Sequence, residues 1–329
     1  MSRSRVAVIG AGMAGLIVAT RLAGSADLVV LDKGRGVGGR LATRRIGDAT
    51  FDHGAQFITT HSLEFAEIIN GLVKKGVVAD WFHGQVGPNG AKSSDGHVRY
   101  RGVVSMNAIA KTLASGLDIR TSSQITSIEQ NGSGWKLQLS DETSLTADAV
   151  VSTAPVPQAL ALLEAGKTEL SPADTIALGT IEYEPCIAVM AVLDGPSGIA
   201  APGAIAPSEG PIDWIADNQM KGISPVSAVT IHASADFSRA AWDLADDAIA
   251  DKLLTAAGLI DRSVKGSVQL QRWRYARPSV IHPDRCLVAE HLPPLVFAGD
   301  AFGGAKVEGA ALSGIAASDA VHELLNAQR

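Results

Sequence analysis

Gly10, Gly12 and Gly15 stand at a G-x-G-x-x-G spacing directly after the β-branched run Val6-Ala7-Val8-Ile9. An apolar helical pattern follows, with Met13 at its start, and the next apolar run, Leu28-Val29-Val30-Leu31, ends in Asp32. Each part has a mechanical reason. Gly10 permits a tight turn, Gly12 lets backbone approach a pyrophosphate, and Gly15 lets the helix pack close on the strand. The helix N-terminus offers unpaired N–H groups and a positive dipole end to phosphates. Asp32 can accept hydrogen bonds from a ribose hydroxyl. Glycines alone would be weak evidence; strand, glycines, helix, strand and acid together predict a dinucleotide-binding unit.

A second glycine-rich loop follows, Lys33-Gly34-Arg35-Gly36-Val37-Gly38-Gly39-Arg40. With Lys33 and Gly39 it presents charge and bare backbone, and Arg40 can meet a pyrophosphate with its forked donors. The competing reading is a solvated turn carrying ordinary charges. Phe51-Asp52-His53-Gly54-Ala55-Gln56-Phe57 mixes a turn glycine with polar groups, of which Gln56 and Phe57 can face a ring system. From the residues alone it is a loop between two strands. At the far end, Leu295-Val296-Phe297-Ala298 reads as a buried strand ending in Gly299-Asp300. Asp300 at the carboxyl end of a strand can hold a polyol hydroxyl. The small-residue helix from Val307 to Ala317 can aim N–H groups and its dipole at a developing anion. No metal cluster, Ser-His-Asp set or carboxylate pair stands out, so no catalytic side chain is assigned.

These groups must be positioned by an α/β framework. Segments 124–129 and 135–139 read as alternating strands joined at Asn131-Gly132, and 148–153 as a strand ended by Pro155. Strands are also predicted at 187–193, 227–232 and 268–273, with a helix over 240–257. In the last strand Trp273 and Tyr275 share one face and Arg272 and Arg274 the other, because alternate residues point the same way. The aromatic pair is a candidate wall beside a cofactor ring, against ordinary packing. His232 is a candidate cavity residue, against a satisfied structural histidine. Thr59 and His61 offer weaker polar candidates. The chain has 329 residues, 46% of them hydrophobic, and a formal charge of −6. That balance gives no broad basic surface for nucleic acid or anionic membrane. No apolar run reaches spanning length. Arg3 and Arg5 before an apolar stretch imitate a secretory signal, but the glycines break it. With Cys186 and Cys286 isolated, the expectation is a cytoplasmic protein with reduced thiols.

The glycine motif, the Gly38-Gly39-Arg40 loop and the Gly299-Asp300 segment before a small-residue helix resemble the FAD-dependent amine oxidase and phytoene desaturase superfamily. The 51–57 segment and Arg272-Trp273-Arg274-Tyr275-Ala276 look like the bacterial renalase group. A departure is Asp32, where many superfamily members carry the longer Glu. The resemblance implies a Rossmann-type FAD-binding domain with an inserted mixed α+β substrate domain. The expected boundaries are 1–57, 98–160 and 284–329 for the first, 58–97 and 161–283 for the second. It implies FAD, with Ile125 as an adenine-side backbone contact, and the FAD is expected to be noncovalent because no cysteine lies in the Gly299-Asp300 segment. It also implies an oxidase moving hydride from misreduced isomers of NAD(P)H to flavin N5, with O2 reoxidation giving hydrogen peroxide. Such a donor needs no general base. A small amine oxidase, a desaturase-like enzyme and a non-catalytic flavin-binding redox sensor are the other readings, and the oligomeric state is left open.

Overall fold

A computed structural model describes residues 3–88, 90, 92–264 and 266–327. The fold is α/β and divides into two compact units. One is made of residues 1–39, 110–182 and 277–329, the other of residues 40–109 and 183–276.

The first unit is built on a six-stranded sheet in the order Leu287–Val288, Leu295–Phe297, Ala149–Ser152, Arg5–Ile9, Asp27–Leu31, Ile119–Arg120. All its neighbours pair parallel except the first two, which are antiparallel. Val6, Ala7 and Val8 are wholly buried, as are Ala149, Val150 and Val151 beside them. An uninterrupted apolar run in a strand is what burial on both faces of a parallel sheet demands. Met13–Leu22 and Val307–Ala327 form helices of this unit and cross closely. Gly314 allows the crossing, since a Cβ there would lie 2.5 Å from the Ala14 carbonyl oxygen. A smaller antiparallel sheet, Ser144–Ala147, Gly134–Leu139 and Ile125–Asn131, turns at Gly132 with φ +61°.

The second unit carries a five-stranded sheet in the order Ala204–Ile205, Ile212–Asp217, Ala228–Ala233, Glu182–Val192, Gln269–Val280. Strand alternation divides its two faces. Val189, Ala191, Val229 and Ile231 pack with Ile249, Leu253 and Leu254 of the Asp246–Ala256 helix. Met190 and Ala228 instead pack with Ala49 and Phe51 of the antiparallel hairpin Thr43–Ile46/Ala49–Asp52. This explains where the unit boundaries fall. Residues 40–57 and 98–109 group with the second unit rather than with the dinucleotide-binding segments, because the hairpin's apolar side chains have their partners there. Of the helix expected over 240–257, Ala240 only ends one helix, Ala235–Ala240, and residues 246–256 form the next, Asp246–Ala256. The first is capped by the Ser234 hydroxyl, which accepts from the Phe237 amide, and the chain turns before the second begins.

Candidate cofactor and substrate sites

In the first unit the Val6–Ile9 run delivers Gly10 to the end of the sheet, where φ is +103° and its amide donates to the Leu31 carbonyl at 2.8 Å. A Cβ on Gly15 would lie 1.9 Å from the Gly10 oxygen, so helix and turn touch through bare backbone. Gly12 differs: among the described residues a Cβ there would meet no atom within 4 Å. It is also the N-cap of the Met13–Leu22 helix, with no side-chain cap hydrogen bond. A helix start with its first amides facing open space has the donors and dipole end that suit an anion. The second loop closes over the first, with Gly38 donating to the Ala11 carbonyl at 2.8 Å and a Gly39 Cβ position 3.3 Å from the Gly12 Cα.

Asp32 binds both loops. Its Oδ2 accepts from the Ala11 amide and its Oδ1 from the Gly34 amide, each at 2.7 Å. The Asp32 carbonyl accepts from the Ser123 amide at 2.8 Å, which brings the segment leading into Ile125 to the same edge. Ile125 itself is buried at the start of its strand. The exposed Lys33 ammonium donates to Gln158 Oε1 at 3.0 Å.

The two chain ends meet at one residue. A Cβ on Gly10 would lie 2.6 Å from Thr153 Oγ1, and one on Gly299, at φ +137°, would lie 3.8 Å from the Thr153 carbonyl oxygen. Asp300 is buried at the start of a one-turn helix. Gly303 and Gly309 face each other so closely that a Cβ on either would collide with backbone at 2.0–2.1 Å, and Val307 opens the long helix there. Open space before Gly12, an uncapped helix and a buried acid at the converging strand ends fit a dinucleotide cofactor.

The second unit holds a dense polar cluster. Asp52 and Lys221, both with side chains wholly buried, pair at 2.8 Å. Asp52 Oδ1 also accepts from Thr43 Oγ1 at 2.6 Å and from the Met106 amide at 3.0 Å. Burial pushes the Lys221 ammonium below its ordinary range, the Asp52 carboxylate opposes this, and the Arg101 charge adds to the lowering. The His53 carbonyl accepts from Trp273 Nε1 at 2.9 Å and lies 3.2 Å from His232 Nε2. The His53 ring stacks on Trp273, centroids 5.5 Å apart at 18°. Burial, the Arg44 cation and His232 bring the His53 pKa down to about 4 against a smaller opposing pull from Asp52. Burial and Lys221 bring His232 to about 4 as well, although the His53 carbonyl favours its protonated form.

His232, Trp273 and Gln56 thus fall in one cluster, while Tyr275 meets Tyr183 edge-on at 5.4 Å. Arg40 directs Nη1 at the carbonyls of Tyr275 and Ala276, at 3.3 and 3.2 Å. Phe57 joins Trp214 and Phe82 in an aromatic group. Thr59 is half-buried, and the exposed His61 ring lies 4.2 Å from that of His97. Sequence reasoning missed Lys221, His53, Tyr183 and Trp214 as members of these groups. Lys221 follows a polar turn and its local pattern reads as solvated; its partner lies 169 positions away. Among the described residues no group of three or more His, Cys, Asp or Glu is placed to hold a metal ion, and no helix is long and apolar enough to cross a membrane.

A family model described as flavin containing amine oxidoreductase matches residues 92–322, and one described as an NAD(P)-binding Rossmann-like domain matches residues 8–72. Among solved structures, a putative protoporphyrinogen oxidase from Exiguobacterium sp. 255-15 superposes with a TM-score of 0.75 at 12% identity, over 98% of this chain and 99% of that one. A mutant from a structure-based redesign of cofactor binding in putrescine oxidase gives 0.73 at 14% identity, over 98% and 99%. A CLA-producing fatty acid isomerase from P. acnes gives 0.71 at 12%, over 97% and 98%. At such identities these likenesses show a shared fold.

Proposed function

The chain belongs to the flavin containing amine oxidoreductase family and is an FAD-dependent oxidoreductase, and from that premise we propose that it oxidises dihydronicotinamide dinucleotides reduced at an unusual ring position. The observation that carries this reading is the charge on the aromatic surfaces of the second unit. Lys221 Nζ sits 4.9 Å from the Trp81 centroid and the Arg99 guanidinium 5.6 Å from that of Phe57. Rings whose negative faces already hold cations are poor hosts for a protonated amine. The buried carboxylate beside them, Asp52, is paired with Lys221. A neutral dihydropyridine on an anionic dinucleotide suits such surroundings better. His53 and His232, with pKa values near 4, are weak proton acceptors, and a dihydronicotinamide needs none because its ring nitrogen expels the hydride.

Bound FAD, held noncovalently in this reading, would supply the two-electron acceptor, which O2 restores with release of hydrogen peroxide. The roles proposed for the chain's own residues follow from their chemistry. The first-turn amides after Gly12, with Met13 and Gly15, hold the pyrophosphate, and Gly39 and Arg40 complete that contact. Asp32 and Lys33 serve the ribose side, Ile125 the adenine, and Asp300 with Gly299 a ribityl hydroxyl. Val307 brings a helix N-terminus toward negative charge, and Phe57 serves the ring system. Thr59, His61, His232, Trp273 and Tyr275 position the substrate.

The family itself favours a second reading, a small amine oxidase. Anaerobic mixing of the FAD-loaded protein with NAD(P)H isomers, and separately with benzylamine or putrescine, separates the two. Bleaching of the flavin absorbance is expected with a dihydronicotinamide isomer and not with the amines. Bleaching by an amine alone, or by neither class, overturns the proposal.

A further inference from the structure

Two buried polar atoms without hydrogen-bond partners among the described residues lie three residues apart on the segment that leaves the Ala49–Asp52 strand: His53 Nδ1 and Gln56 Oε1. Their side chains are in residues only 5% and 6% exposed. Gln56 is not free to swing. Its Nε2 donates to the Asp52 carbonyl at 2.7 Å and the Gly54 carbonyl at 3.1 Å, which uses both amide hydrogens and fixes which end of the carboxamide is oxygen. The His53 ring is held by its stack on Trp273, and its backbone carbonyl by Trp273 Nε1. Two rigid, buried, unmatched groups within four residues call for a partner that brings its own hydrogen-bonding atoms.

The chemistry of that partner is constrained. Gln56 Oε1 takes a donor. His53 Nδ1 gives or takes according to tautomer, so a neutral imidazole with its proton on Nδ1 takes an acceptor. A carboxylate offers the glutamine oxygen nothing but repulsion. An ammonium meets the same burial and the same Arg44 charge that keep a proton off His53. An uncharged group that carries both an N–H and a C=O has the chemistry to serve both atoms.

We propose that Gln56 Oε1 and His53 Nδ1 form a subsite for an uncharged amide edge, filled by the carboxamide of the substrate's nicotinamide ring. This rests on the dihydronicotinamide reading above and adds the group by which that ring is recognised. The pyrimidine ring of a flavin carries an edge of the same chemistry, so the test must separate the two sources.

The measurement is the affinity of the FAD-loaded protein for three oxidised dinucleotides by calorimetry: NAD+, its 3-acetylpyridine analogue, which keeps the C=O and lacks the N–H, and its nicotinic acid analogue, which bears a carboxylate. The wild-type protein should bind the acetylpyridine analogue about 10-fold or more weakly than NAD+, and the acid more weakly still, because a buried acceptor is left unpaired. In Gln56→Met the ratio of NAD+ to acetylpyridine affinity should fall to about one. The wild-type series needs no variant to fold. Equal binding of amide and ketone by wild type overturns the subsite, and a buried water is then the partner of both atoms. An unchanged ratio in Gln56→Met, together with loosened FAD or a shifted flavin spectrum without dinucleotide, also overturns it and gives the edge to the cofactor. Failure here leaves flavin bleaching by dihydronicotinamides intact, whereas failure of the functional reading abolishes that bleaching.

Discussion

His232 shows how a residue's chemistry is set by what surrounds it. Strand alternation puts it on the face away from Ile231 and the packed helices, where it meets the His53 carbonyl and Gln56. Burial and the Lys221 charge bring it to about pKa 4, which leaves it neutral yet weakly basic near neutral pH. A base of that strength removes little from the barrier of a proton abstraction. His232→Ala should therefore slow flavin reduction only a few-fold, through lost positioning. Anaerobic stopped-flow with the preferred substrate measures this, and a loss of about 10²–10⁴-fold, rescued by imidazole, would establish proton abstraction there instead. The position was legible because period-two alternation is a local property. Its neutrality was not, because the causes, burial and Lys221, belong to distant stretches of chain. The same holds for Asp52, a mid-loop acid by sequence whose partners are Thr43, Met106 and Lys221.

At the scale of elements, the first strand, glycine turn and helix were legible because each glycine answers a different local demand, and the structure separates those demands further. Gly15 is filled by protein: a Cβ meets the Gly10 oxygen at 1.9 Å. Gly12 is not: φ is −79° and, among the described residues, no atom lies within 4 Å of its Cβ position. Gly15→Val should accordingly destabilise the protein with or without FAD. Gly12→Val should leave the FAD-free thermal midpoint within a few degrees of wild type while abolishing FAD retention, read as the flavin-to-protein absorbance ratio after gel filtration. Equal destabilisation by both variants would mean that the space at Gly12 serves packing rather than a ligand. The Asp246–Ala256 helix was harder to delimit from sequence. Apolar spacing runs back through Trp242 to Ala240, whereas one helix ends at Ala240 and the next begins only at Asp246.

For the whole molecule, sequence order misplaces the Thr43–Asp52 hairpin. It follows the dinucleotide motif along the chain, but Ala49 and Phe51 pack on Met190 and Ala228, a pairing visible only once the sheet is formed. That placement puts two neutral histidines inside the second unit, with consequences for its acid stability. His53 and His232 have folded pKa values near 4, against an ordinary value of 6.5. The unfolded chain therefore binds more protons than the folded one between those values. Their contribution is fully present above pH 6.5, declines as pH falls, and levels off below about 4. Each can contribute a slope of up to about 1.4 kcal/mol per pH unit in that window. Four of the chain's five tryptophans, Trp81, Trp214, Trp242 and Trp273, lie in this unit, so intrinsic fluorescence follows its unfolding. Urea midpoints taken from pH 8 to pH 4.5 should stay level down to about 6.5 and then fall. His232→Phe should reduce that fall, because one of the two proton-binding differences is gone. A midpoint that holds steady from pH 6.5 to 4.5 in the wild-type protein would mean that the folded cluster accepts protons as readily as the open chain, and with it the neutral His53 on which amide recognition depends would be lost.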